Sequence, residues 1–151
     1  MEEVRYAGFW RRLAAFIIDV VAIFAILLIV IFVGSFLYHF LGESSVLLTG
    51  LGSVLIVVVL FYHTYFLVTK GATPGKAIMG LVVVDKTYNY PLSTEKALLR
   101  EILGRHIIDQ LTFSLGNLLI IFDSKKQALH DKIGGTYVVY KDSLEGSKGE
   151  K

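Results

Sequence analysis

Apolar positions dominate the first seventy residues, and a mixed pattern follows. From Leu13 to Leu41 the chain is mostly Leu, Ala, Phe, Ile and Val, broken by Asp19 and a few small or weakly polar residues. A bilayer-spanning helix needs about 20 apolar residues, so this run is long enough. It is also too long for the core of a signal peptide, about 7–15 residues, and reads as retained. Val46 to Val68 is a second run, with His63 as its only titratable interruption apart from tyrosine. The link "LGESS" (41–45) is short, so the two runs form an antiparallel helical hairpin. After Val68 the period changes. "GATPGK" (71–76) reads as a turn, because Pro74 before Gly75 is strong punctuation. "LVVVD" (81–85) and "TYVVY" (136–140) are β-branched and short, and "YNYPL" (88–92) is a turn. Two isolated strands of this kind most simply pair with each other.

The stretch between the strands, 93–122, is ambiguous. Ser93 and Thr94 suit a helix N-terminus. Glu101, Arg105 and Asp109 recur every four residues and share one helical face, with Leu98, Leu99, Ile102, Leu103 and Ile107 on much of the rest. Leu111–Phe122 is apolar but, at about 1.5 Å per residue, only ~18 Å long, short of a ~30 Å hydrocarbon core. Two arrangements fit: a third membrane helix over 98–122 with its charges packed inward, or a re-entrant helical hairpin breaking near Asp109–Gly116. The pattern therefore predicts an all-α membrane protein, a transmembrane hairpin plus that third element, with a small cytoplasmic β element.

Composition agrees: 54% of the 151 residues are hydrophobic and 19% charged, against about 25% charged in soluble domains. The net charge of +2 gives no reason to expect a nucleic-acid partner, but its distribution matters. Lys70, Lys76, Lys86, Lys96, Arg100 and Arg105 follow the second run, and six lysines follow Phe122. The positive-inside bias places these segments, and both termini, in the cytoplasm, and favours the re-entrant hairpin. With no cysteine, disulfides and thiolate metal sites are excluded. The four histidines lack metal-ligand spacing, and no metal or cofactor is expected. "GATPGKA" has three residues between its glycines and Ala after the lysine, which fails the P-loop pattern. No catalytic triad is visible, so the reading is not an enzyme.

"GFWRRLAAFIID", "GATPGKAIMGLVVVD" and "ALHDKIGGTYVV" together resemble the three blocks of the RDD family of bacterial membrane proteins, in family order over nearly the whole chain. The family is named for one arginine and two aspartates, and Arg12, Asp19 and Asp131 match that pattern. The resemblance implies one RDD-like domain over 1–140, followed by a polar, disordered tail over 141–151. It also implies a multi-pass protein of the bacterial inner membrane with a role in transport.

Asp19 carries the strongest chemical signal, since a carboxylate at a membrane-helix centre costs about 2.5–3.5 kcal/mol on insertion scales. It is a structural hydrogen-bond acceptor or hydrated group, a cation or proton site, or a protein–protein contact. Arg12, two turns away on the same face, leans toward the helix N-terminus and is expected to snorkel. A partner for Asp19 is expected between Lys76 and Asp131. Supporting candidates are Lys76, Arg100, Arg105, His106 and Asp109. Ala15, Ala22 and Ala25, with Thr49, Gly50, Gly52 and Ser53, read as small-residue packing patches. Two function classes follow: a transporter coupled to Na⁺ or H⁺ acting as a homo-oligomer in the lipid bilayer, or an accessory subunit docked on another membrane protein.

Overall fold

Helix α1 (Phe9–Leu41) is 33 residues long, about 50 Å at 1.5 Å per residue. Helix α2 (Ser45–Thr69) returns beside it with 25 residues. These are the helices, among the described residues, long and apolar enough to cross a membrane. The computed structural model describes residues 4–41, 45–109, 111 and 115–148. Along α1 and α2 the large apolar side chains point outward: Val21 is 63% exposed and Phe32 74%. That is the reverse of a water-soluble domain and fits a surface covered by lipid. The helices approach at Gly34, where a Cβ would come within 2.5 Å of Leu51 Cδ1. Gly50 and Gly52, expected to serve that approach, have open space beside them.

A short helix α3 (Pro74–Ile78) follows, capped by Thr73, whose hydroxyl accepts from the Lys76 N–H. Strands β1 (Leu81–Asp85) and β2 (Thr136–Tyr140) then pair antiparallel, in the register Leu81↔Tyr140 to Asp85↔Thr136. Both faces are buried, because alternate residues face opposite sides. Leu81, Val83 and Val138 pack with Leu67, Leu92 and Ala97. Val82, Val84, Tyr137 and Val139 pack with Leu144. The outer edge of β2 is occupied by the N-terminal segment: the Ala7 N–H donates to Val138 O at 2.9 Å and the Tyr140 N–H to Arg5 O at 3.0 Å.

The stretch 94–122 is built of short pieces. Helix α4 (Thr94–Leu98) runs directly into a π-helical segment (Leu99–Asp109). A 3₁₀ turn (Leu115–Leu118) later leads into helix α5 (Leu119–Phe122). Residues 110 and 112–114 of the expected break near Asp109–Gly116 lie outside the described residues. The π-helical segment is amphipathic in an inverted sense: Arg100, Glu101 and Gly104 are buried, while Ile102, Leu103 and Ile107 are exposed. Helix α6 (Leu129–Gly134) packs on its polar face. Two glycines permit that contact: a Cβ on Gly104 would meet His130 Cβ at 2.8 Å, and one on Gly134 would meet Arg100 Cβ at 2.6 Å. Gly135 then turns the chain into β2 with φ +61, a left-handed value that glycine adopts at little cost.

Residues 141–148, expected as disordered tail, form helix α7 (Lys141–Lys148). Its single large apolar residue, Leu144, is 2% exposed against the sheet. Arg5 ties α7 to the N-terminus through an ion pair with Asp142 at 2.8 Å, and the Arg5 N–H donates to Ser143 Oγ.

Candidate functional site

Asp19 lies ten residues into α1, about 15 Å from its start, and is 1% exposed. Its carboxylate accepts from Thr73 Oγ1 at 2.6 Å and from the Gly75 N–H at 2.8 Å, with Tyr62 Oη at 3.5 Å. Asp19 therefore holds the first turn of α3 against α1, where unsatisfied N–H groups favour an anion. Gly75 makes this possible: a Cβ there would lie 2.0 Å from Ala15 O. The small-residue face of α1 at Ala15 is thus the seat of α3. The partners of Asp19 are Thr73 and Gly75, just before the segment expected to supply them. Tightness explains the difference: a glycine N–H reaches a helix surface more closely than any long side chain can.

Asp131 anchors a separate group of charges. It is fully buried at the third position of α6 and accepts from the Ala128 N–H at 3.2 Å, one half of a capping box. Arg12 pairs with its Oδ2. Arg100 pairs with its Oδ1 through Nη2 at 2.7 Å and Nε at 3.1 Å. Arg100 also pairs with Glu101, and Arg105 Nη1 lies 3.1 Å from Glu101 Oε2, without hydrogen-bond alignment. Burial pushes the Asp131 carboxyl up, but Arg12 and Arg100 outweigh it and hold it well below the usual carboxylate range. Arg12 does not snorkel: it bridges α1 to α6 and donates from Nε to Ala7 O at 2.9 Å. Arg12 and Asp131 are thus brought together, while Asp19 bonds to a different set of partners.

Between α1, α2, the π-helical segment and α5 lies a cavity of about 540 Å³. Arg12, Lys76, Arg100 and Arg105 line it, with His63, His106 and His130. Asp19 is the one carboxylate lining it among the described residues, and its charge is held by Thr73 and Gly75. Lys76 is 5% exposed, and no carboxylate among the described residues pairs with it. Burial, then repulsion from Arg105 and Arg100, pushes its ammonium down to about 7. His106 Nε2 is buried without a hydrogen-bond partner among the described residues. The rest of the lining is apolar, including Phe16, Ile23, Val59 and Ile120. The cavity is thus cationic in one part and oily in another.

The expected residues Arg12, Asp19, Lys76, Arg100, Arg105 and His106 all line this cavity, and Asp131 braces two of its arginines. The side chain of Asp109 lies outside the described residues. Thr73, Gly75, Gly104 and Gly134 were not read from the sequence as site residues. The one available signal was a helix-capping threonine followed by Pro-Gly. Among the described residues, no group of three or more His, Asp or Glu side chains is placed to hold a metal ion.

Comparison with known proteins places the chain among membrane proteins of bacteria. YteJ of Bacillus subtilis (strain 168), described as an uncharacterized membrane protein, is 31% identical over 138 residues, covering 89% of this chain and 81% of that one. YxaI of the same organism is 30% identical over 154 residues, 89% of this chain and 97% of that one. RP437 of Rickettsia prowazekii (strain Madrid E) is 40% identical over 85 residues, 56% of this chain, and the match spans only 45% of that relative's length. No solved structure matches the chain. The model of the RDD family matches residues 6–135, the span that contains Arg12, Asp19, Asp131 and the whole cavity, and the chain belongs to that family.

Proposed function

We propose that the protein is a multi-pass cell-membrane protein that binds an anion in the cavity beside α1 and moves it as part of a small transport assembly. The observation that carries this reading is the cavity lining. Four cationic side chains reach it, one of them, Lys76, without a paired carboxylate. Arginine and lysine placed this way are the usual means of recognising phosphate or carboxylate groups. Coupling to Na⁺ or H⁺ through Asp19 is less favoured, because both Asp19 oxygens already accept hydrogen bonds from the chain. Two spanning helices enclose little on their own, so transport calls for several copies around one pathway. The sheet, both termini and α7 lie on the cytoplasmic side in this reading, which the lysine excess supports.

The test is thermal unfolding of the purified full chain in detergent at constant ionic strength. Replacing chloride by inorganic phosphate should raise Tm in a saturable way, and Lys76→Gln should remove most of that rise. A rise with Na⁺ over choline, with no anion effect, would restore the cation reading. No ion effect, with another membrane protein co-purifying stoichiometrically, would favour the accessory-subunit reading.

A further inference from the structure

We infer that the anion is amphiphilic: a phosphate-type head on a hydrocarbon tail, taken from the bilayer through the side of the cavity. The inference rests on the anion reading above and names its ligand class.

Three observations carry it. First, the end of the cavity farther from the sheet is apolar, while its cations lie nearer the sheet. On α1 the lining runs from Phe9, Arg12 and Leu13 near the sheet through Phe16 and the hydrogen-bonded Asp19 to Ile23, so the cationic side chain is at the sheet end and the far end is apolar. The span from Arg12 to Ile23 is eleven residues, about 16 Å of helix. On the antiparallel α2, His63 is nearer the sheet and Val59 farther from it. Second, apolar lining residues reach the outer surface: Phe16 is 50% exposed and Leu118 43% exposed. A ligand entering there comes from the lipid phase. Third, a volume of about 540 Å³ lies within the range of about 300–1,000 Å³ typical of small-molecule sites.

A small hydrated anion explains the cationic part but leaves the oily part unfilled. A neutral lipid explains the oily part but leaves Lys76 without a counter-charge, since Arg12, Arg100 and Arg105 already face Asp131 and Glu101. An acidic lipid satisfies both, and basic pockets between membrane helices are known to hold such head groups. Asp19 lines the same cavity with its oxygens bonded to Thr73 and Gly75, and the head is assigned to Arg12, Lys76 and Arg105.

A free phosphate shares the head's chemistry, so the experiment separates the two sources. The full chain in detergent is titrated with dioctanoyl phosphatidic acid, dioctanoyl phosphatidylcholine and inorganic phosphate, followed by Tm and by equilibrium binding. The expected order is phosphatidic acid at least tenfold tighter than phosphate, with no saturable effect of phosphatidylcholine. Lys76→Gln should weaken phosphatidic acid at least tenfold. Lys76 has no paired carboxylate to lose, so this variant should fold. Leu118→Trp, which fills the apolar part, should weaken phosphatidic acid while leaving phosphate unchanged. Phosphate binding as tightly as phosphatidic acid would overturn the amphiphile and leave the anion reading standing. Phosphatidylcholine equal to phosphatidic acid, or no binding by any of the three, would overturn both.

Discussion

A carboxylate inside an apolar helix is stable here because it is saturated with short hydrogen bonds. Asp19 accepts from Thr73 and from the Gly75 N–H, and hydrogen bonds to a charged group contribute about 1.5–3 kcal/mol each. Asp19→Asn keeps the shape but turns an amide N–H₂ toward one of the two donors. It should lower stability by roughly one such bond, about 1.5–3 kcal/mol, read as a drop in Tm. Gly75→Ala should cost more, since its Cβ would meet Ala15 O at 2.0 Å and α3 would have to leave α1. A Tm unchanged by Asp19→Asn would show that the clamp contributes nothing. Asp131 differs in kind, because Arg12 and Arg100 depend on it. Asp131→Ala leaves two buried guanidinium groups short of a counter-charge and should cost about 3–5 kcal/mol. Lys76 adds a pH signature. Burial and the nearby Arg105 and Arg100, against the opposing pull of Glu101 and Asp19, bring its ammonium to about 7, whereas an unfolded lysine titrates near 10.4. Between about 7 and ~10.4 the unfolded chain therefore holds the extra proton, and stability rises with pH across that window. Below about 7 both states are protonated and the folded state bears the full penalty. The difference in Tm between wild type and Lys76→Met should therefore shrink from pH 7 to pH 10. A constant difference would place Lys76 in water.

Elements show which of these features a sequence can carry. The two long helices were legible because a lipid-facing helix needs only length and apolarity. The pairing of β1 with β2 was legible because two short β-branched runs have no other partner. The residues Arg12, Asp19 and Asp131 were legible as a set through their three blocks, but not their partners. Partner choice depends on glycines whose value lies in an absent Cβ: Gly75 under α1, and Gly104 and Gly134 between the π-helical segment and α6. The π-helical backbone was hidden for a related reason. Glu101 and Arg105 are four apart and read as an ordinary helical pair, while the wider i→i+5 turn depends on what packs against it. Helix α7 was missed because one buried leucine in a charged octapeptide is too faint a periodic signal. The strand register makes the sheet testable. Cysteines at Val83 and Val138, directly opposed, should oxidise to a disulfide, since opposed Cβ atoms lie about 4.5–5.5 Å apart. Cysteines at Val83 and Val139 should not, because a one-residue slip turns the second side chain to the other face.

At the scale of the molecule, the contacts place the N-terminal segment from Val4 and helix α7 beside the same sheet. Ala7 and Arg5 bond along β2, and Arg5 reaches Asp142 and Ser143 on α7. The start of α1 and the end of α2 meet there too, with Leu67 packed in the core beside Ala7. In the proposed topology, a chain that leaves this end on α1 and returns on α2 crosses an even number of times. The remaining segment, 94–122, then has to come back to the same side, because β2 follows it. Its inverted amphipathy agrees, with polar residues turned toward α6 and leucines and isoleucines turned out. The orientation proposed above puts that side inside the cell, in line with the lysine excess. Reporters fused before Val4 and after Lys148 should therefore give the same answer, active for a cytoplasmic reporter and silent for one that requires export. A reporter inserted in the α1–α2 link should give the opposite answer. Termini on opposite sides would break the Arg5–Asp142 pair and the bonds between the N-terminal segment and β2, and with them the fold described above. Termini together but outside would keep every contact and overturn only the orientation.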